Sequence, residues 1–284
     1  MRPLLLLLVI SLCCPSGAQV ARPMVGAMTT YTAKEGDTLL TIAKAHGLAI
    51  EHIAFANGYP LTAVQIVPGT EVVIPKQRVL PANPPKDGLV LNVPERGIYR
   101  FKGGKFAEFI PVGVGKPPTA KTPLGQWRII EKIVNPTWYP PKWAGDTTPV
   151  GPGPNNPLGD RWIGLSAPLV GIHGTNDPLN VGGPVTHGCV RCYPEDIRRL
   201  FGVVSVGMPV RVEYETAKIG KDGQGRLYIV TFPDIYQKDA PAAKAAVLLK
   251  KVGRNGLLEN RNFSGKMSLT LGLPIELVSA PARN

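Results

Sequence analysis

Cysteine is scarce: four in 284 residues, two of them adjacent at Cys13-Cys14. If that pair leaves with a leader, only Cys189 and Cys192 remain, which excludes a disulfide-stapled scaffold. Charge is thin as well, at 18 % of residues against about 25 % in an average soluble protein, so the chain is not a solvated polyelectrolyte. Acidic residues are the short side, with 20 Asp and Glu facing 32 Lys and Arg for a net charge of +12. That surplus suits an anionic polymer, nucleic acid and cell wall alike. The N-terminal apolar run Leu4 to Leu12 falls short of the ~20 residues that span a bilayer, so no spanning segment is expected from it. Glycine and proline are plentiful, 32 and 30, which fits strands, turns and long loops better than a helical bundle.

Residues 1–18 read as a secretory signal peptide. Arg2 is its positive end, Leu4 to Leu12 its apolar stretch, and Ser16-Gly17-Ala18 supply small residues for cleavage. Lipidation at Cys13 or Cys14 is the rival, but the residue ahead of a modified cysteine should be small, and Leu12 and Cys13 stand there. Export places the protein in the periplasm or cell wall and decides against nucleic acid as the partner.

Residues 29–76 form a first unit. Tyr31-Thr32-Ala33 reads as a strand, Glu35-Gly36-Asp37 as a turn, and Thr38 as the cap of a helix with Leu39, Ile42 and Ala43 on one face. Gly47 stops that helix. A second helix covers Ile50 to Asn57, and Pro68-Gly69-Thr70 turns into the strand Glu71 to Ile74. This β-α-α-β plan, with Glu-Gly-Asp-Thr-Leu, Ala-Asn-Gly and Pro-Gly-Thr in place, resembles a LysM domain, although Leu40 departs from the aromatic or serine common there. The resemblance implies binding to N-acetylglucosamine-containing glycan, hence peptidoglycan. The bland alternative is a helical spacer.

A linker over 77–86, with Pro81, Pro84 and Pro85, favours extended backbone. Short β runs follow at Gly88 to Val93, Gly97 to Phe101 and Phe106 to Val112. Asn135 to Arg161 hold seven prolines and no core pattern; a loop that long is either functional or disordered, and a lid over the cleft is the reading adopted. Trp162 to Leu165 and Val170 to Ile172 return to strand and deliver His173 at a strand end. Pro194 opens a helix with Ile197, Leu200 and Phe201 inward, and Pro209 to Tyr214 is a closing strand. Residues 215–284 form a short α+β accessory unit. Its lysine-bearing helix, Ala240 to Val252, is read as solvated rather than membrane-bound.

The chemistry concentrates in Thr186-His187-Gly188-Cys189-Val190-Arg191, with Gly-Ile-His173-Gly174-Thr standing 16 residues before the cysteine. A thiol becomes a nucleophile as thiolate, and a neighbouring imidazole is the usual way to make one. Gly188 lets the backbone turn tightly and lets a substrate carbonyl reach main-chain N–H groups. His187 lies two residues from Cys189, so an extended strand would put both on one face, and Arg191 likewise. Cys192 makes Cys-x-x-Cys with Cys189. A redox dithiol would need a βαβ setting that is missing here, and zinc on His173, His187, Cys189 and Cys192 would have awkward geometry for a tetrahedral site. No metal or cofactor is therefore required.

These blocks, with the Thr122-Pro123-Leu124-Gly125 strand entry, resemble the L,D-transpeptidase catalytic domain (YkuD-like) over residues 87–214. The resemblance implies a mostly β sandwich, Cys189 as nucleophile and His173 as general base, with the Gly174 carbonyl as an orienting acceptor. It leaves His187 to tune the thiolate, bind substrate or serve structure, and Arg191 to meet a stem-peptide carboxylate or fix the loop. The implied donor is a peptidoglycan stem tetrapeptide, cleaved between its third residue, meso-diaminopimelate, and D-alanine. The acceptor stays open: a second diaminopimelate gives a 3→3 cross-link, a lysine of an outer-membrane lipoprotein gives a wall tether, and water makes an L,D-carboxypeptidase. A non-catalytic LysM-type peptidoglycan-binding protein is the alternative from another class.

Overall fold

The computed structural model describes residues 20–61, 65–141 and 145–278; the expected export segment and Cys13-Cys14 lie outside them. Along the chain, β1 (Ala21–Val25) precedes β2 (Met28–Thr32), α1 (Leu39–His46), α2 (Ile50–Asn57) and β3 (Glu71–Pro75). Next come β4 (Arg78–Val79), β5 (Gly88–Asn92), β6 (Gly97–Lys102), β7 (Lys105–Pro111), β8 (Val114–Gly115) and β9 (Gly125–Val134). The site-bearing stretch contains β10 (Arg161–Leu165), β11 (Gly171–His173), β12 (Pro184–Thr186), β13 (Val190–Arg191), α3 (Pro194–Val203) and β14 (Pro209–Glu213). The chain closes with β15 (Ala217–Lys221), β16 (Leu227–Thr231), α4 (Pro241–Lys251), α5 (Arg261–Ser268) and β17 (Ile275–Glu276). The protein is mostly β, as its glycine, proline and alternating apolar runs imply.

The first unit is the β-α-α-β arrangement read from the sequence. Thr38 accepts from Thr41 N and Thr41 returns the bond to the Thr38 backbone, so two orphan donors are satisfied at the start of α1. Gly47 and Gly58 close the two helices in left-handed conformation. Leu39, Ile42, Leu48, Ile53, Val72 and Ile74 pack between the helices and the β2–β3 pair.

The central unit is an eight-stranded sheet in the order β13-β11-β10-β9-β14-β5-β6-β7. One face is a continuous apolar core: Val190, Ile172, Ile163, Leu89, Leu91 and Val210 pack with Ile197 and Leu200 of α3. Helix α3 is opened by Pro194 at its first turn, where the missing N–H costs nothing.

Two features differ from the sequence reading. The linker region is not a free spacer: β4 pairs antiparallel with β1, Arg78 and Val79 are buried, and Arg211 donates to the carbonyls of Ala82 and Asn83. Nor is the accessory unit confined to the C-terminus. Its five-stranded sheet runs β17-β16-β15-β1-β4, so Ala21–Val25, parallel to β15, belongs to it. An isolated five-residue segment carries no signal of a partner 198 positions away, and only tertiary pairing reveals it.

At the seam, Lys218 and Glu95 are buried and 2.5 Å apart. Tyr99 also donates to Glu95, at 2.6 Å, and Arg78 lies 3.9 Å from it. Burial pushes the Glu95 carboxyl up, but Lys218 and Arg78 overcome this and hold it below the usual range. Strand β15, the linker and the catalytic sheet therefore meet in one paired cluster.

Candidate active site

Strand register assembles the site. In the parallel pair β11–β13, Ile172 lies beside Val190 and His173 beside Arg191; Cys189 stands just ahead of β13, with its thiol by the Gly171 backbone N–H. Paired residues point to the same side of a sheet and alternate along each strand. The apolar core takes Val190 and Ile172, and the opposite face takes Cys189, Gly171, His173 and Arg191. Cys192 N donates to His173 O at 2.8 Å and locks this register.

His173 is buried, 4 % exposed. Its Nδ1 lies 2.6 Å from the Gly174 carbonyl, which can only accept, so Nδ1 carries the proton and Nε2 is the free lone pair. The Trp162 indole stacks on the ring at 5.9 Å between centroids. Burial lowers the imidazole pKa to about 4, the Gly174 bond raises it in part, and Arg191 lowers it further. At neutral pH the ring is neutral and able to accept a proton.

The Cys189 thiol points at the Leu169 carbonyl, 3.6 Å away. Burial raises its pKa, while the Gly171 N–H and Arg191 oppose the rise. The resting pair is thus thiol and neutral imidazole. Arg191 is fixed through its backbone, which exchanges hydrogen bonds of 2.9 and 2.8 Å with Gly113, and its buried Nε is without a partner.

The structure corrects the reading of His187. Strand β12 ends at Thr186 and β13 begins at Val190, so no extended strand joins His187 to Cys189. Gly188 has φ +113°, a region that L side chains rarely adopt. Thr186 Oγ1 donates to Cys189 O at 2.5 Å and accepts from Gly188 N at 3.3 Å, closing a turn. His187 is exposed on that turn. Cys192 is fully buried in the apolar core, on the face away from Cys189, so the two thiols and two imidazoles do not converge.

Three supports were not picked out from sequence. Asn156, fully buried, donates to the carbonyls of Pro136, Val150 and Gly151, so the proline-rich loop folds around one amide. That loop is seated against the strand end after His173: Gly159 approaches Gly174 and Thr175 so closely that a Cβ would lie 2.9 Å from Thr175 N. Tyr236, from beyond β16, accepts from Thr122 N at 2.9 Å and donates to Gly115 O at 2.8 Å. It thereby holds the loop whose Lys116 N bonds Thr186 O at 2.9 Å. An asparagine among prolines was a usable hint; nothing local marks Tyr236.

Comparison with known proteins shows the family. The L,D-transpeptidase catalytic domain model (YkuD) matches residues 86–212, and the LysM domain model matches residues 31–75. A relative from Escherichia coli, named L,D-transpeptidase YbiS, is 33 % identical over 219 residues, covering 72 % of this chain and 70 % of its own. The chain belongs to the L,D-transpeptidase family. A further L,D-transpeptidase relative, YkuD of Bacillus subtilis, is 28 % identical over 65 % of this chain and 99 % of its own. Among solved structures, the catalytic domain of the E. faecium L,D-transpeptidase aligns with 45 % of this chain and 96 % of that one, at 27 % identity and a TM-score of 0.37. In this L,D-transpeptidase family member, no cluster of three or more metal-ligating side chains occurs among the described residues. No single helix among them is long and apolar enough to cross a membrane.

Proposed function

We propose that the protein is an exported L,D-transpeptidase of the periplasm or cell wall, acting on peptidoglycan stem peptides through a thioester on Cys189. The reading is carried by one observation. Cys189 stands just ahead of β13 with its thiol by the Gly171 backbone, two residues before His173 on the paired strand, and the Gly174 carbonyl leaves His173 Nε2 free to accept a proton.

In this scheme Cys189 Sγ passes its proton to His173 Nε2 as it attacks the carbonyl carbon of the third stem residue. The oxyanion is met by the main-chain N–H of Cys189, at the turn that positive φ at Gly188 shapes. Collapse breaks the C–N bond, His173 returns the proton to the departing amine, and D-alanine leaves. An amine acceptor then attacks the thioester and gives its proton to His173, and the thiol is restored. With a diaminopimelate side chain the product is a 3→3 cross-link; with a lipoprotein lysine it is a wall tether. Water in the acceptor's place gives L,D-carboxypeptidase activity. Arg191, beside both groups, favours negative charge developing at sulfur, and its unpartnered Nε suits a stem-peptide carboxylate. The LysM unit supports wall glycan as the surface on which the enzyme works.

Incubation with a tetrapeptide-bearing muropeptide, followed by mass analysis, separates the outcomes. Transfer products with an intermediate gain in protein mass are expected, and both should vanish in Cys189→Ala. Unchanged muropeptide that nevertheless co-sediments with the protein would leave a binding function alone.

A further inference from the structure

The catalytic face extends past the nucleophile. Trp162 pairs with both His173 and Ile133, and Gly164 pairs with both Gly171 and Glu131. Gly171, Gly164 and Glu131 thus lie in one line across three strands, on the side of His173 and Trp162, with the Cys189 thiol by the Gly171 backbone at its end. The Trp162 indole lies flat over Gly171, where a Cβ would be 2.5 Å from two ring carbons. The Glu131 side chain leans back over Gly164, with its Oε1 2.7 Å from the position of a Cβ there. Trp162 Nε1 donates to that same Oε1 at 2.8 Å.

This arrangement has an unusual charge content. Glu131 is exposed, yet no cation pairs with it among the described residues. Its neighbour Lys132 turns to the other face, donating to Val204 O at 2.7 Å and lying over the Phe201 ring. The indole N–H occupies one site on a carboxylate that can accept several. A negative group is therefore held in place two strands from Cys189, roughly 10 Å at normal strand spacing, with an aromatic plane between.

We infer that Trp162 and Glu131 form a subsite for a primary ammonium on an aliphatic stem, carried by the donor residue whose carbonyl Cys189 attacks. The inference rests on the transpeptidase reading above and adds a specificity determinant to it. An extended lysine-like side chain starting at the acylated carbonyl crosses the indole with its methylenes and ends at the carboxylate. The methylenes gain apolar contact, and the ammonium gains a charge-assisted hydrogen bond beside a ring that itself attracts cations.

The test uses the full-length enzyme and two synthetic donor tetrapeptides that differ only at the third residue, L-lysine against L-norleucine. Thioester formation is followed by intact-protein mass and D-alanine release. Wild type should favour the lysine donor by roughly ten- to a hundredfold in kcat/KM, the range of a hydrogen bond to a charged group. In Glu131→Gln the ratio should collapse toward one, and Glu131→Asp should restore part of it. Trp162→Phe, which keeps the aromatic plane and releases the carboxylate, should fall between. A Glu131→Gln enzyme that keeps the wild-type ratio, or loses rate equally on both donors, overturns the subsite and leaves the transpeptidase reading standing. Failure of wild type to acylate with either donor overturns both.

Discussion

At the scale of single residues, the proposed chemistry turns on two groups, Cys189 and His173, that are both neutral at rest. Cys189→Ala should abolish covalent labelling by a donor or by an acylating inhibitor, since Cys192, the other thiol among the described residues, is buried in the core. His173→Ala should slow acylation by about two to four orders of magnitude, the range for losing general acid–base assistance, and His187→Ala should cost less. The buried imidazole also fixes a pH dependence. Its folded pKa of about 4 lies below the ordinary 6.5. Between those values the unfolded chain takes up a proton and the folded one does not. Stability therefore rises with pH across that window and is lost as pH falls from 6.5 to 4, by about 3 kcal/mol in total. Denaturant midpoints at pH 7 and pH 4.5 for wild type and His173→Gln measure it: the wild-type loss should shrink in the variant. Acylation should likewise stay level down to about pH 5, and a decline centred at 6.5 would mean that the ring is solvated.

At the scale of elements, the active-site turn is held by neighbours from distant parts of the chain. Tyr236→Phe removes the donor to Gly115 O and the acceptor for Thr122 N, leaving two buried main-chain groups unsatisfied. The expected cost is about 1–3 kcal/mol, with kcat reduced because the 115–122 loop supports Thr186. Calorimetry and steady-state rates check both parts; a melting temperature within a degree of wild type would refute the anchor. Local signals explain why α1, α2 and α3 were legible: a capping threonine, glycines at two ends and a proline at one start are short-range instructions. The turn around His187 was not legible as such. Its extended reading ignored that a threonine hydroxyl can bond within the turn and that Gly188 opens conformations closed to other residues. Tyr236 and β1 were illegible for another reason, because their partners lie far off in sequence and no local pattern encodes them.

At the scale of the whole molecule, the first unit is bound to the catalytic unit rather than hung from it. Glu51 pairs with Arg96, Lys44 with Glu195 at 3.2 Å, and Ala49 meets Gly182 so tightly that a Cβ there would be 2.5 Å away. Gly182 belongs to the segment between His173 and Cys189. Deleting residues 29–76 should therefore reduce the rate on a small soluble muropeptide as well as on intact sacculi, and lower the melting temperature. An unchanged rate on the small substrate would mean that the first unit serves only to hold the enzyme on the wall. Lys218→Met, which takes the nearest cation from the buried Glu95 carboxylate and leaves it Tyr99 and the more distant Arg78, should cost about 3 kcal/mol, read from urea midpoints, and Glu95→Gln in the same chain should recover part of it. The pairing of β1 with β15 has a consequence for how the molecule is made. A chain that emerges N-terminus first presents β1 long before the strand that receives it exists, so this contact is among the last to close and raises the contact order of the whole fold. Until then β1 has only β4 beside it, and its other edge is open to other chains. The order of synthesis thus makes β15 a clasp, which seals β1 into its sheet only after the catalytic unit has been made.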